Sequence, residues 1–320
     1  MRKIGHRTNS LILLLTIMPL SLIGQTGYER NTLYYGSMEE HSNSVDGQLT
    51  ELDSICKKGE TYYFGYGVQE NLARAVELFT AAAEKSHPIA QCNLGYCYYA
   101  GQGVKQNYVH AVEWFTKSAE QGFAEAQCYL GVCYDKGHGV EKNHEQAVYW
   151  YRTAAEQGNR QAQYNLGYCY ENGVGVQLNY EQAVSWYLLA AIQGHEAAQC
   201  NLGNCYRNGR GIKQDYSEAA YWYEKSAELG SKEAQYNLGN CYIKGEGVKQ
   251  DYTKAAEWYE KSANQGYANA QYNLASCYER GDGVVRDYAK AQHWFQKAAD
   301  QGNRYAANRL KKLLKVMQEE

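Results

Sequence analysis

An all-α solenoid of stacked helix pairs is the fold this sequence predicts, and three observations carry the prediction. All six tryptophans stand 36 residues apart, at Trp114, Trp150, Trp186, Trp222, Trp258 and Trp294. A Gly-x-Gly pair keeps the same step from Gly65/Gly67 to Gly281/Gly283, and no insertion breaks it. Only 2 prolines occur in 320 residues, which favours helices joined by glycine turns over turn-rich strands. Units this short cannot bury their own apolar faces, so about seven of them must stack.

Each unit reads as two helices, A and B. In residues 161–194, Ala162, Leu166, Cys169 and Tyr170 fall on one face at 100° per residue, which is helix A. Gly167 lies beside that face, where a missing side chain lets a neighbouring helix approach. Gly173-Val174-Gly175 ends the helix and turns the chain. Helix B opens on a cap: Asn179 with Gln182, and Asp215 with Glu218, have capping-box spacing, whereas Asp251 and Asp287 keep only the cap. Ala183, Trp186, Tyr187, Ala190 and Ala191 form the apolar face of helix B, and Gly194 closes it.

The ends of an array must differ from its middle, because each lacks a neighbour. At the front, Lys58 and Thr61 replace the leucine and cysteine of the Leu94/Cys97 columns. At the back, Leu310, Leu313 and Leu314 fill core positions while Lys311, Lys312 and Lys315 cover the rest, as in a capping helix. The predicted organisation is a signal peptide over 1–24, a polar lead-in over 25–49, a solenoid over 50–304 and a capping helix over 305–320.

The N-terminal assignment rests on Arg2, Lys3 and Arg7, followed by the apolar run Leu11–Ile23. That run is too short to span a bilayer and has the order of a secretory signal, with cleavage expected before Gln25. Export to a periplasm or out of the cell follows, with no membrane span after cleavage; an unprocessed chain would instead be a cytoplasmic adaptor. Cleavage moves the net charge from −3 to −6. Either value excludes a general nucleic-acid binder, which needs a basic surface.

The recurring residues resemble the SEL-one-like repeats, relatives of the tetratricopeptide repeats. The pattern stands here as Ala234, Leu238, Gly239, Tyr242, Gly245, Gly247, Val248, Asp251, Tyr252, Ala255, Trp258, Tyr259, Ala263 and Gly266, and it covers about residues 54–314. The resemblance implies a right-handed superhelix and an adaptor for protein assemblies, with no shared chemistry. Its secreted, cysteine-rich subgroup carries a cysteine near the end of helix B. Here that region reads Ser118-Ala119 or Ala154-Ala155, so that subgroup's disulfide framework is not reproduced.

Residues that look like chemistry have plainer readings. Cys97, Cys133, Cys169, Cys205, Cys241 and Cys277 sit on the core face of helix A, and Cys92, Cys128 and Cys200 five residues earlier point about 140° away. Such pairs fit neither disulfide nor metal geometry within one helix, so the expectation is small buried fillers. The eight histidines read as surface residues; only His138 and His144 are close, and they are too few for a metal site. Ser54-Ile55-Cys56-Lys57 spells the S-x-x-K of penicillin-binding enzymes, and it alone carries the alternative of an envelope hydrolase acting on β-lactams or peptidoglycan. The partner elements S-D-N and K-T-G are missing from the sequence. No catalytic residue, cofactor or metal is therefore expected.

The candidate site is a polar stripe on helix A. Asn165, Asn201, Asn237 and Asn273 share one column at the edge of the core face. Tyr164, Tyr168, Tyr236 and Tyr272, with Asn204 and Asn240, lie on the outward face. If helix A lines the concave side, these residues form a groove for a protein or peptide partner. Asparagine pairs with extended backbone, and tyrosine offers contact area at low entropic cost.

Overall fold

The computed structural model describes residues 50–319. They form fifteen helices and, among the described residues, no strand. The first eight are α1 (Glu51–Phe64), α2 (Leu72–Ala83), α3 (Pro88–Ala100), α4 (Tyr108–Glu120), α5 (Ala124–Lys136), α6 (His144–Glu156), α7 (Arg160–Asn172) and α8 (Tyr180–Ile192). The others are α9 (Glu196–Asn208), α10 (Tyr216–Glu228), α11 (Lys232–Lys244), α12 (Tyr252–Asn264), α13 (Ala268–Arg280), α14 (Tyr288–Asp300) and α15 (Arg304–Glu319). Odd-numbered helices α1–α13 are the A helices and even-numbered ones the B helices. Each helix packs chiefly on its two neighbours in sequence, which makes the molecule an all-α solenoid.

Local chemistry starts and stops each helix. The Asn179 side chain accepts the Gln182 amide at 3.0 Å and starts α8, and Asp215, Asp251 and Asp287 do the same for later B helices. The capping boxes expected at Asn179/Gln182 and Asp215/Glu218 form only their first half. The second half needs the cap residue's own N–H, and Asn179 and Asp215 give theirs to the carbonyls of Tyr170 and Tyr206. A complete box closes elsewhere, between Thr50 and Asp53 at the start of α1.

Gly173 ends α7 with φ 66°, a left-handed conformation that glycine adopts without strain. Gly175 serves another purpose. A Cβ there would collide with the His144 carbonyl, at the start of the preceding B helix. The loop backbone is therefore seated directly on the neighbouring unit.

The core lies between successive helices. Ala162, Leu166 and Cys169 of α7 pack with Ala147, Val148 and Tyr151 of α6, and Trp186 of α8 packs onto the same cluster. The tryptophan column thus ties the B helices α6, α8, α10, α12 and α14 to the unit before each. Gly167 permits the close approach expected of it: an added Cβ would lie 2.7 Å from the Tyr187 ring. Every cysteine is buried and unpaired with another. Burial pushes the thiols of Cys97, Cys133 and Cys169 up to about 12 and that of Cys277 up to about 11, so they pack as small hydrophobes.

A glutamine ladder reinforces this packing. Gln163 of α7 is buried; its Nε2 donates to the Ala155 carbonyl at 3.1 Å, and its Oε1 accepts from Gln193 Nε2 at 2.8 Å. One side chain on an A helix thereby links the ends of two B helices. The same rung joins Gln91 to Gln121, Gln127 to Gln157, Gln235 to Gln265 and Gln271 to Gln301.

At the C-terminal end, Leu310 and Leu313 are buried, but Leu314 is 38% exposed and does not fill the core. It stands in the column of Tyr242 and Tyr278, where the side chain packs against the next helix pair, and among the described residues no helix lies beyond α15 to cover it. At the front, Lys58 is exposed and Thr61 half-buried. The predicted signal peptide and polar lead-in lie outside the described residues. Among the described residues no helix is long and apolar enough to cross a membrane.

Candidate functional site

The proposed stripe runs along α7, α9, α11 and α13, and its asparagines are bound into a network between units. Tyr223 OH donates to Asn204 Oδ1 at 2.7 Å, and Asn237 Nδ2 reaches the same oxygen at 3.4 Å. One unit later, Tyr259 OH donates to Asn240 Oδ1 at 2.7 Å and Asn273 Nδ2 approaches at 3.3 Å. Both amide planes are thus held from two directions through their oxygens. That orientation leaves each Nδ2 without an acceptor among the described residues. The result is two oriented donors one unit apart.

The first unit of the stripe is wired differently. Asn165 Oδ1 accepts from Gln161 Nε2 at 3.0 Å, and His195 Nε2 lies 3.1 Å from Gln161 Oε1. His195 Nδ1 accepts the Ala198 amide and so caps α9. Accepting at Nδ1 leaves the ring proton on Nε2, which donates to Gln161. Burial, with the nearby Arg160 charge, lowers the His195 pKa to about 4. Tyr187 OH donates to Glu171 Oε2 at 2.6 Å and also bonds to Asn201.

The tyrosines divide. Tyr168 is 48% exposed and stands free for contact. Tyr164, Tyr236 and Tyr272 are half-buried and do not point freely outward as expected. Tyr164 stacks on His195 with ring centres 4.5 Å apart, Tyr236 meets Tyr267 edge-on at 5.3 Å, and Tyr272 lies 5.6 Å from Phe295. The wheel angle of this column points at the cleft between two units, which the next loop fills; Cys92, Cys128 and Cys200 occupy the same column and are buried there.

Some of the histidines also depart from a surface role, while His110 and His293 are exposed as expected. His87 is 8% exposed. Its Nδ1 accepts the Ala90 amide and its Nε2 donates to Asp53 Oδ1 at 3.0 Å. Burial pushes the Asp53 carboxyl up, but hydrogen bonds from His87 and Thr50 outweigh it and hold it below its ordinary value. His138 meets Tyr99 OH and stacks on Tyr108, and His144 pairs with Asp135. No group of three or more metal-ligating side chains is assembled among the described residues. Ser54 and Lys57 both lie exposed on α1.

The glutamine ladder and the hydroxyls of Tyr223 and Tyr259, which hold the stripe's amides, recur as columns in the sequence without any mark of their hydrogen-bond partners. Periodicity marks a column as buried without saying which polar atoms it joins.

Stacked helix pairs with a regular inter-unit polar network define a tandem α/α-repeat protein. The Sel1 repeat model matches seven times in register, over residues 55–87, 88–123, 124–159, 160–195, 196–231, 232–267 and 268–303. The chain belongs to the Sel1 repeat family. Among solved structures it is similar to c5321, a protective antigen present in uropathogenic Escherichia coli strains, with 38% identity and a TM-score of 0.73 over 81% of this chain. It spans 56% of that protein's length. A Sel1 repeat protein from Oxalobacter formigenes is 37% identical with a TM-score of 0.68, covering 76% of this chain and 96% of its own. Comparison with curated proteins gives no match.

Proposed function

We propose that this chain is a non-enzymatic scaffold that holds a protein or peptide partner along the concave A-helix face, and that it works after export. Proteins of the Sel1 family are generally protein-interaction scaffolds, which supports the coarser part of this reading. The observation that carries the finer part is the pair of oriented amide donors at Asn204 and Asn240. Two donors held one unit apart suit the carbonyls of an extended segment, with Tyr168 supplying apolar contact beside them. Asn237 and Asn273 act in this reading as the frame that holds the donors, and Asn165 and Asn201 continue that column along the stripe. Tyr164, Tyr236 and Tyr272 form the floor.

The test begins with affinity purification of the tagged full-length chain from its native host, read by mass spectrometry. A stoichiometric partner is expected, and bait peptides beginning at Gln25 would mark export. Asn204→Asp with Asn240→Asp then keeps both oxygens in the network and replaces both donors. Together with Tyr168→Ala it should weaken the recovered partner at least tenfold. Unchanged affinity in a folded variant would remove the stripe from the binding surface.

A further inference from the structure

One seam of the array lacks polar links that the others have. In five units the glutamine at the end of the B helix donates to the buried glutamine of its own A helix. Gln193 and Gln265 also reach the closing-glycine carbonyl of the unit before, at Gly158 and Gly230. At the end of α10 this column holds Leu229. It offers no donor to the Gly194 carbonyl, nor to Gln199 Oε1, which is buried and unpaired. A second unpaired atom lies at the same seam. Trp222 is 9% exposed, whereas the other five tryptophans are half-buried, and its Nε1 is buried without an acceptor. Its ring shares a cluster with Val184 and Tyr187 of α8. Among the described residues three buried side-chain polar atoms lack a partner, and two of them stand where α10 meets unit 4.

The other contacts of this seam are intact. Gln199 Nε2 donates to the Ala191 carbonyl at 3.1 Å and ties α9 to α8. Ser226 Oγ donates to the Glu196 carbonyl at 3.0 Å and ties α10 to α9. The backbone of Gly211 sits on the Tyr180 carbonyl. Helix α9 is thus fastened on both sides, and the contact of α10 with α8 is the one short of polar links.

In a stacked array each seam is as strong as its own neighbour contacts, so the seam with the fewest opens first. Unpaired polar groups weaken the closed seam, and water satisfies them once it opens. We infer that the array has a hinge here: α8 and α10 splay about α9, and units 1–4 tilt against units 5–7. The hinge itself does not depend on the reading of the stripe. Its consequence rests on that reading: Tyr168 lies on one side of the seam and Asn204 and Asn240 on the other, so the tilt sets how the aromatic contact lines up with the two amides.

Two measurements on the full-length chain, with no partner added, test the hinge. Native-state hydrogen exchange read by mass spectrometry should show residues 221–231 exchanging about tenfold faster than the matching stretches 185–195 and 257–267. Leu229→Gln should remove that difference, and Gln265→Leu should transfer it to 257–267. Spin labels then report the tilt. Ser185→Cys with Glu257→Cys spans the seam, and Glu113→Cys with Ser185→Cys spans as many units beside it; all three positions are exposed and the ten native thiols are buried. Pulsed electron paramagnetic resonance should give a broad distance distribution for the first pair, narrowed by Leu229→Gln, and a narrow one for the second. Equal exchange in the three stretches overturns the proposal, as does fast exchange that Leu229→Gln leaves unchanged. Fast exchange with equally narrow distributions overturns it too, because the end of α10 alone would then be fraying.

Discussion

Gln199 Oε1 lies buried without a donor because Leu229 stands in the column from which glutamine completes the rung in five other units. The ladder is therefore interrupted in the fifth unit. Leu229→Gln should restore the rung and raise stability by about 1–2 kcal/mol, seen as a higher Tm in dilute samples. No gain would mean that the Gln199 carbonyl is satisfied in solution by water.

Gly203 faces the Tyr223 ring, where an added Cβ would lie 2.7 Å away. Gly203→Ala should destabilise the array by about 1–3 kcal/mol in urea unfolding. In the last unit Ala275 occupies this column, packed in the cluster with Phe295, so the cost is one of repacking and not of an impossible backbone.

Tyr223→Phe removes the donor to Asn204 Oδ1 while keeping the ring. The loss should be about 1 kcal/mol, and coupling to Asn237→Ala should appear in a double-mutant cycle because both partners meet the same oxygen. Additive losses would mean that the two bonds act independently.

Stability should fall as the solution is acidified from pH 6.5 toward 4. The unfolded chain binds a proton at His195 from about 6.5 downward, whereas the folded chain resists until about 4, so protons favour unfolding across that window. The effect should be on the order of 1–2 kcal/mol for this half-buried ring. His195→Asn, the cap that Asn159 already provides in its own unit, should remove that part of the acid sensitivity.

The ten thiols should be nearly silent toward a thiol reagent in the native state and react in full after unfolding. Burial both covers them and keeps them protonated, as at Cys97 with a pKa of about 12. Rapid labelling of one or more native thiols would show local opening of a unit.

The recurring columns make the helix pairs, the glycine turns and the buried cysteines legible in the sequence. Spacing alone determines which side chains share a face, and Ala162, Leu166 and Cys169 share the buried one. The site was less legible. Tyr164 and Tyr168 both point away from the core on a helical wheel, yet the His195 loop covers the first and leaves the second open. A wheel describes one helix and cannot represent what the next unit places beside it. The second halves of the capping boxes failed for a related reason, since the Asn179 amide is taken by Tyr170 from the helix before.

The seat of Gly175 on the His144 carbonyl recurs at Gly211 on Tyr180, at Gly247 on Tyr216 and at Gly283 on Tyr252. Because these contacts are made by backbone, the seam between units depends little on which side chains decorate them. Gene duplication or unequal crossing-over that adds or deletes a whole 36-residue unit would rejoin at an equivalent seam. Within a lineage the array can therefore change its length in discrete steps, while point substitutions alter the side chains that each step displays.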